Sequence, residues 1–170
     1  MGLMEEWDAC FVMMGVGMVR QGNHIYQYYN GVDLTHGGTR GMTDEERAKW
    51  RRWSKMGRVV QRLDGFCSAD ADYEGGWLAT PPIVFNGSRL ILNINTSAAG
   101  MAKVAIMGPN GRPIPGYSIN DCDDIMTNNV AHIVTWRDNP DISTLAGKPV
   151  SLRFDMRSTK LYAFQFEGEN

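Results

Sequence analysis

Asp70-x-Asp72-x-Glu74 is a run of alternating acids that contains Tyr73 and is followed by Gly75-Gly76. Alternating carboxylates in a loop can offer several oxygens to a hard cation, so these three are candidate calcium ligands. The fuller calcium-loop pattern, Asp-x-Asp-x-Asp-Gly with a distant glutamate, is absent, and an acidic, turn-rich connector explains the same spacing more simply. As a glycosidase pair they are weaker still. Hydrolysis needs two carboxylates roughly 5–9 Å apart across a bound sugar, one with a raised pKa, and neighbours in one loop rarely face each other so. Asp121, Asp123 and Asp124, close to Asn120 and Asn128-Asn129, form a second acidic group. It could take calcium or bond sugar hydroxyls, and it too reads more simply as a solvated loop.

Sugar recognition asks for an exposed ring, because one side of a sugar is apolar, and for planar polar groups around it, because its rim is hydroxyls. Candidates are Tyr73, Trp77, Tyr117 and Trp136, with Asn93, Asn95 and Arg137 beside them. A core or interface position is the ordinary fate of each ring. His36, in Leu34-Thr-His-Gly-Gly38, is a candidate partner for a sugar hydroxyl, and a structural or exposed histidine is its plainer reading. No Gly-x-Ser-x-Gly nucleophile motif is present, and Gly15-x-Gly17 lacks the rest of a dinucleotide fingerprint. His24, His36 and His132 lack metal-ligand spacing, and Cys10, Cys67 and Cys122 are three widely spaced cysteines, which suits free thiols. No residue is therefore assigned as catalytic, and calcium is the one candidate cofactor.

The elements that must position these residues are mostly strands. The 170 residues suit one domain with an appendage; 43% are hydrophobic, enough for a core, and the net charge of -2 gives no global attraction to nucleic acid or an anionic membrane. Six Lys or Arg between Arg47 and Arg58 with no acid could be called a nucleic-acid patch, but one charged helix is usually a solvated face. Residues 1–10 lack the basic region of a signal peptide, and the run Phe11 to Val19 is too short to span a bilayer.

Phe11–Val19 and His24–Asn30, joined at Gln21-Gly22-Asn23, predict a hairpin. Thr43-x-x-Glu46 is a capping box, and acids in the first turn followed by bases predict a helix over about 43–55 with Trp50 and Trp53 on one face. From Val59 on, β patterning dominates: Leu90, Leu92 and Ile94 share a face, as do Ala102, Val104 and Ile106, and as do Leu152, Phe154 and Met156. Ile133–Trp136 and a last strand with Tyr162, Phe164 and Phe166 complete the set. The expected fold is mainly β: an antiparallel, jelly-roll-like two-sheet sandwich with an N-terminal hairpin and one short helix, divided as residues 1–58 and 59–170.

An ordered set of short motifs adds a resemblance. Arg62-Leu-Asp-Gly-Phe-Cys-Ser-Ala-Asp-Ala-Asp-Tyr-Glu-Gly-Gly76, Thr80-Pro-Pro, Phe85-x-Gly87, Gly111-x-Pro113, Gly116-Tyr-Ser118, Asp121-Cys-Asp123, Val134-Thr-Trp136 and Leu161-Tyr-x-Phe164 come in that order. The set resembles the C-terminal part of bacterial glycoside hydrolases of the invertase and arabinanase kind, where a five-bladed β-propeller precedes a β-sandwich. The resemblance implies that residues 1–58 are a remnant of the last blade and that the family's catalytic carboxylates lie on earlier blades outside this sequence. The expectation is an accessory, weakly carbohydrate-binding sandwich without turnover of its own. Its alternatives are a small glycoside hydrolase active as a dimer, with Asp70, Asp72, Glu74 and His36 as its residues, or a protein-interaction module that forms a homodimer through the N-terminal strands.

Overall fold

The computed structural model describes residues 3, 6–33, 35, 37–38, 40–50 and 55–168. Strands account for 47% of the chain and helix for 6%, as the β patterning requires. The chain forms two compact units, Met1–Leu63 and Asp64–Asn170.

In the first unit β3 (His24–Val32) is the central strand of an antiparallel sheet. One edge is shared by β1 (Phe11–Met14) and β2 (Val19–Gln21), and the other is β4 (Lys55–Arg62). The expected first strand is thus cut in two, because Gly17 takes φ +92° and carries the chain out of the ladder. The hairpin survives as β2 and β3, with Gln21 opposite His24. β4 starts four residues ahead of the expected Val59 and pairs with β3 from Lys55 to Arg62, so the boundary expected after 58 falls inside a continuous ladder. Gly57 permits this pairing, since a Cβ there would land in the Tyr29 ring. Trp7 stacks on Tyr29, whose hydroxyl donates to the buried Asp8 carboxylate at 2.7 Å. The capping box forms as expected: the Thr43 amide donates to Glu46 Oε2 at 2.7 Å and the Glu46 amide to Thr43 Oγ1 at 3.3 Å. Its helix α1 (Asp44–Trp50) falls within the 43–55 expected, and Lys55 already belongs to β4. Residues 51–54, Trp53 among them, and the Trp50 side chain lie outside the described residues.

The second unit is a two-sheet sandwich. Its strands are β5 (Ala69–Ala71), β6 (Gly76–Ala79), β7 (Arg89–Asn95), β8 (Met101–Met107), β9 (Asn128–Ile133), β10 (Ser151–Arg157) and β11 (Thr159–Glu167). The sheets run β6-β10-β8 and β5-β11-β7-β9, so each successive strand joins the opposite sheet. The three expected inward triplets, on β7, β8 and β10, meet in one core with Ile142, Val150 and Leu161. On β11 a bulge between Leu161 and Ala163 shifts the parity. Leu161 therefore takes the inward place opposite Ile94, and Tyr162, expected to share a face with Phe164 and Phe166, leaves it. The strand expected at 133–136 lies instead at 128–133, and Val134 and Trp136 follow it into the core. Cys122 is buried there; desolvation pushes its thiol up to about 11, while Cys10 and Cys67 are exposed.

Among the described residues no helix is long and apolar enough to cross a membrane.

Candidate functional site

On β10 the inward residues Leu152, Phe154 and Met156 leave Ser151, Arg153, Asp155 and Arg157 on the outer face of the three-stranded sheet. The edge strand β6 sets Trp77 directly opposite Asp155, and Pro81-Pro82 follow its end. Trp77 is 67% exposed. The Arg153 guanidinium lies 5.2 Å from the Trp77 ring centre, and its Nε donates to Asp155 Oδ1 at 2.8 Å. An indole with a guanidinium on one side and this much exposure presents its other side to solvent.

Tyr73 repeats the arrangement one step along. It is 71% exposed, with the Arg157 guanidinium 5.9 Å from its ring centre. The Tyr73 loop is fixed by Asp72: its carboxylate accepts the Glu74 amide at 3.0 Å, and its carbonyl accepts the amides of Gly75 at 3.2 Å and Ser158 at 2.7 Å. Along β10, Arg153 and Arg157 stand about 14 Å apart at roughly 3.4 Å per residue, so the two rings mark out a strip rather than a point. Lys103 on β8 borders it, donating to Asp124 at 2.9 Å and to the Cys122 carbonyl at 3.1 Å; the Asp124 carboxylate holds its ammonium above the usual lysine range.

The other expected residues are placed elsewhere. Asp70 lies on a short strand rather than in a connector. Its carboxylate pairs with Lys160 and accepts the Ser68 hydroxyl at 2.5 Å; those bonds hold it below the usual carboxylate range. With Asp70 paired and Asp72 capping its own loop, Asp70, Asp72 and Glu74 do not converge, and no group of three His, Cys, Asp or Glu placed to hold a metal occurs among the described residues. The second acidic group is likewise committed. Asp121 accepts the Ser118 hydroxyl at 2.7 Å and pairs with Arg137, while Asp123 accepts the Thr135 hydroxyl at 2.5 Å and the Asp138 amide at 2.9 Å. These bonds lower the pKa of both acids and pin Arg137 and Asp138 at positive φ.

Trp136 is 3% exposed and its Nε1 donates to the Val104 carbonyl at 2.9 Å, so it is a core residue. Tyr117 packs edge-on against it and donates its hydroxyl to the Asp141 carbonyl at 3.0 Å. The structure therefore sets Trp77 and Tyr73 beside two arginines of one strand, commits Tyr117, Trp136 and Arg137 to contacts within the fold, and His36 lies outside the described residues. Arg153, Asp155 and Arg157 join the two rings; the signal for them was the outward parity of the cleanest alternating strand. Comparison with protein-family models, with curated proteins and with solved structures gives no match.

Proposed function

We propose that this chain is a non-catalytic carbohydrate-binding sandwich of a glycoside-hydrolase-like protein, with Trp77 and Tyr73 as its stacking platforms. The observation that carries the reading is the pair of exposed rings, Trp77 on β6 and Tyr73 in the turn before it, each backed by a guanidinium from β10. The apolar side of a sugar covers the bare ring face, and the forked N–H groups of Arg153 and Arg157 meet the hydroxyls at its rim. Two further features agree with binding without turnover. Asp155, the acid beside the platform, is paired with Arg153. Every described carboxyl with a displaced pKa (Glu46, Asp70, Asp121, Asp123 and Asp141) is displaced downward, the wrong direction for a general acid. A glycan array, followed by calorimetry on the best hit, tests the reading. Trp77→Ala should weaken binding about tenfold or more, the worth of one stacking contact of about 1.4 kcal/mol, and leave the melting temperature unchanged. A blank array, or wild-type affinity in both Trp77→Ala and Tyr73→Ala, would sink it.

A second reading, self-association through the N-terminal sheet, has its own observation. In register across β1, β3 and β4 lie Met13, Asn30 and Met56, and across β2, β3 and β4 lie Val19, Tyr26 and Val60. Met13, Val19, Met56 and Val60 are all exposed, Met56 by 78%, on one face of this sheet. A sheet face this apolar is normally covered. Sedimentation velocity over a concentration series should show a dimer that the double variant Met56→Asp, Val60→Asp converts to monomer; a wild-type monomer throughout would dismiss it.

A further inference from the structure

At the end of the sandwich where β10 turns into β11, a cleft of about 270 Å³ opens between Asp70, Asn95, Ser97, Ser158 and Lys160. Its floor follows from register. Lys160 stands opposite Asn95 on one side and Asp70 on the other, and all three alternate with the inward residues Ala71, Ile94 and Leu161. The row thus lies on the outer face of the four-stranded sheet. Its walls are held in place: Ser68 donates to Asp70, and Ser97 Oγ donates to the Ser158 carbonyl at 3.1 Å. The side-chain stems of the row and the backbone at Ala71 supply the rest of its lining.

We propose that this cleft is a second sugar subsite, which takes the vicinal diol of one saccharide unit; the proposal rests on the carbohydrate-binding reading above. The donor and acceptor set selects the class. The Asp70–Lys160 pair is internally neutral, so a charged ligand would have to compete with a partner already in place. A neutral hydroxyl needs no such exchange: it donates to a remaining lone pair of Asp70 or accepts a remaining proton of the Lys160 ammonium. The Asn95 amide offers both a donor and an acceptor, so two adjacent hydroxyls can be met at once. The volume falls just short of the usual range for small-molecule pockets, about 300–1,000 Å³, and suits one ring rather than a chain.

Position links the cleft to the platform. Ser158, on its rim, follows Arg157, which covers Tyr73, and the Ser158 amide donates to the carbonyl of Asp72, the residue before Tyr73. One corner of the chain thus shapes both places, the platform beside the three-stranded sheet and the cleft on the four-stranded sheet.

The test uses the full chain and amide NMR spectra recorded with the methyl glycosides of glucose, galactose, arabinose and fructose, each in turn. At least one should give saturable shifts at the Asn95 side-chain amide and at Lys160. Asn95→Ala and Lys160→Met should each weaken that binding about tenfold. Shifts confined to Trp77 and Tyr73 would overturn the subsite and leave the platform reading standing. No shifts at Asn95 with any glycoside would overturn it too, the glycan array deciding the platform separately. Tighter binding of inorganic sulfate than of every glycoside at Asn95 and Lys160 would show an anion site instead.

Discussion

Gly100→Ala is expected to destabilise the sandwich by about 3 kcal/mol and to lower its melting temperature by about 10 °C or more. Gly100 ends the turn after β7 and is buried against the corner between β10 and β11. An alanine Cβ would come within 2.8 Å of the Thr96 and Arg157 carbonyl oxygens and closer still to that of Ser158. These are backbone atoms of two packed turns, so no side chain can swing aside and the corner itself must move. Gly76→Ala is the control: its Cβ meets nothing within 4 Å, and its cost should stay within about 0.5 kcal/mol. Calorimetric melting of both variants settles the matter, and a Gly100→Ala protein as stable as Gly76→Ala would contradict the tight corner. Because Ser97 and Ser158 line the cleft, the same change should also weaken glycoside binding there.

Phe154→Ala should cost about 4 kcal/mol, near the upper end for a large side chain removed from a core. Phe154 lies on β10, between Leu78 of β6 and Val104 of β8, and is 1% exposed. Its ring meets Phe164 of the opposite sheet at 5.8 Å, so the cavity left behind would lie between the layers, where neither can close onto the other. Urea unfolding followed by amide exchange at Val104 and Leu152 reports the second unit by itself. A loss below about 1 kcal/mol would mean that the sheets are not tightly packed at this level. Phe164→Ala, at a partly exposed position, should cost less than half as much.

Much of this architecture was legible because burial writes a period of two. Leu90, Leu92 and Ile94, and Leu152, Phe154 and Met156, announced their inward faces, and Thr43 with Glu46 announced a helix start. Partnership was not legible. Nothing in Arg157-Ser158-Thr159 tells a hairpin within one sheet from a corner between two, and the corner is what forms, with Ser158 at φ +45°. β5 was missed and β9 was placed too late for a different reason: Ala-Asp-Ala and Asn-Asn carry turn-like residues, and edge positions let a strand be polar. At the site, exposure separated rings that composition treats alike. Trp77 and Trp136 differ only in whether the ladder beside them ends at an edge strand or leads into the core. The guanidiniums behind Trp77 and Tyr73 come from β10, about 80 residues downstream, a reach that no local pattern encodes.

The alternation of successive strands between the two sheets also governs the order of assembly. β5 pairs with β11 alone, β6 and β8 pair with β10 alone, and only β7 and β9 are partners before β10 exists. A nascent chain that has not passed Ser151 can therefore close a single ladder of this unit, and Leu152 to Phe166 complete all the others. Residues 64–150 must wait, most of their apolar faces uncovered, until β10 and β11 have joined them, so assembly of this unit depends on contacts distant in sequence.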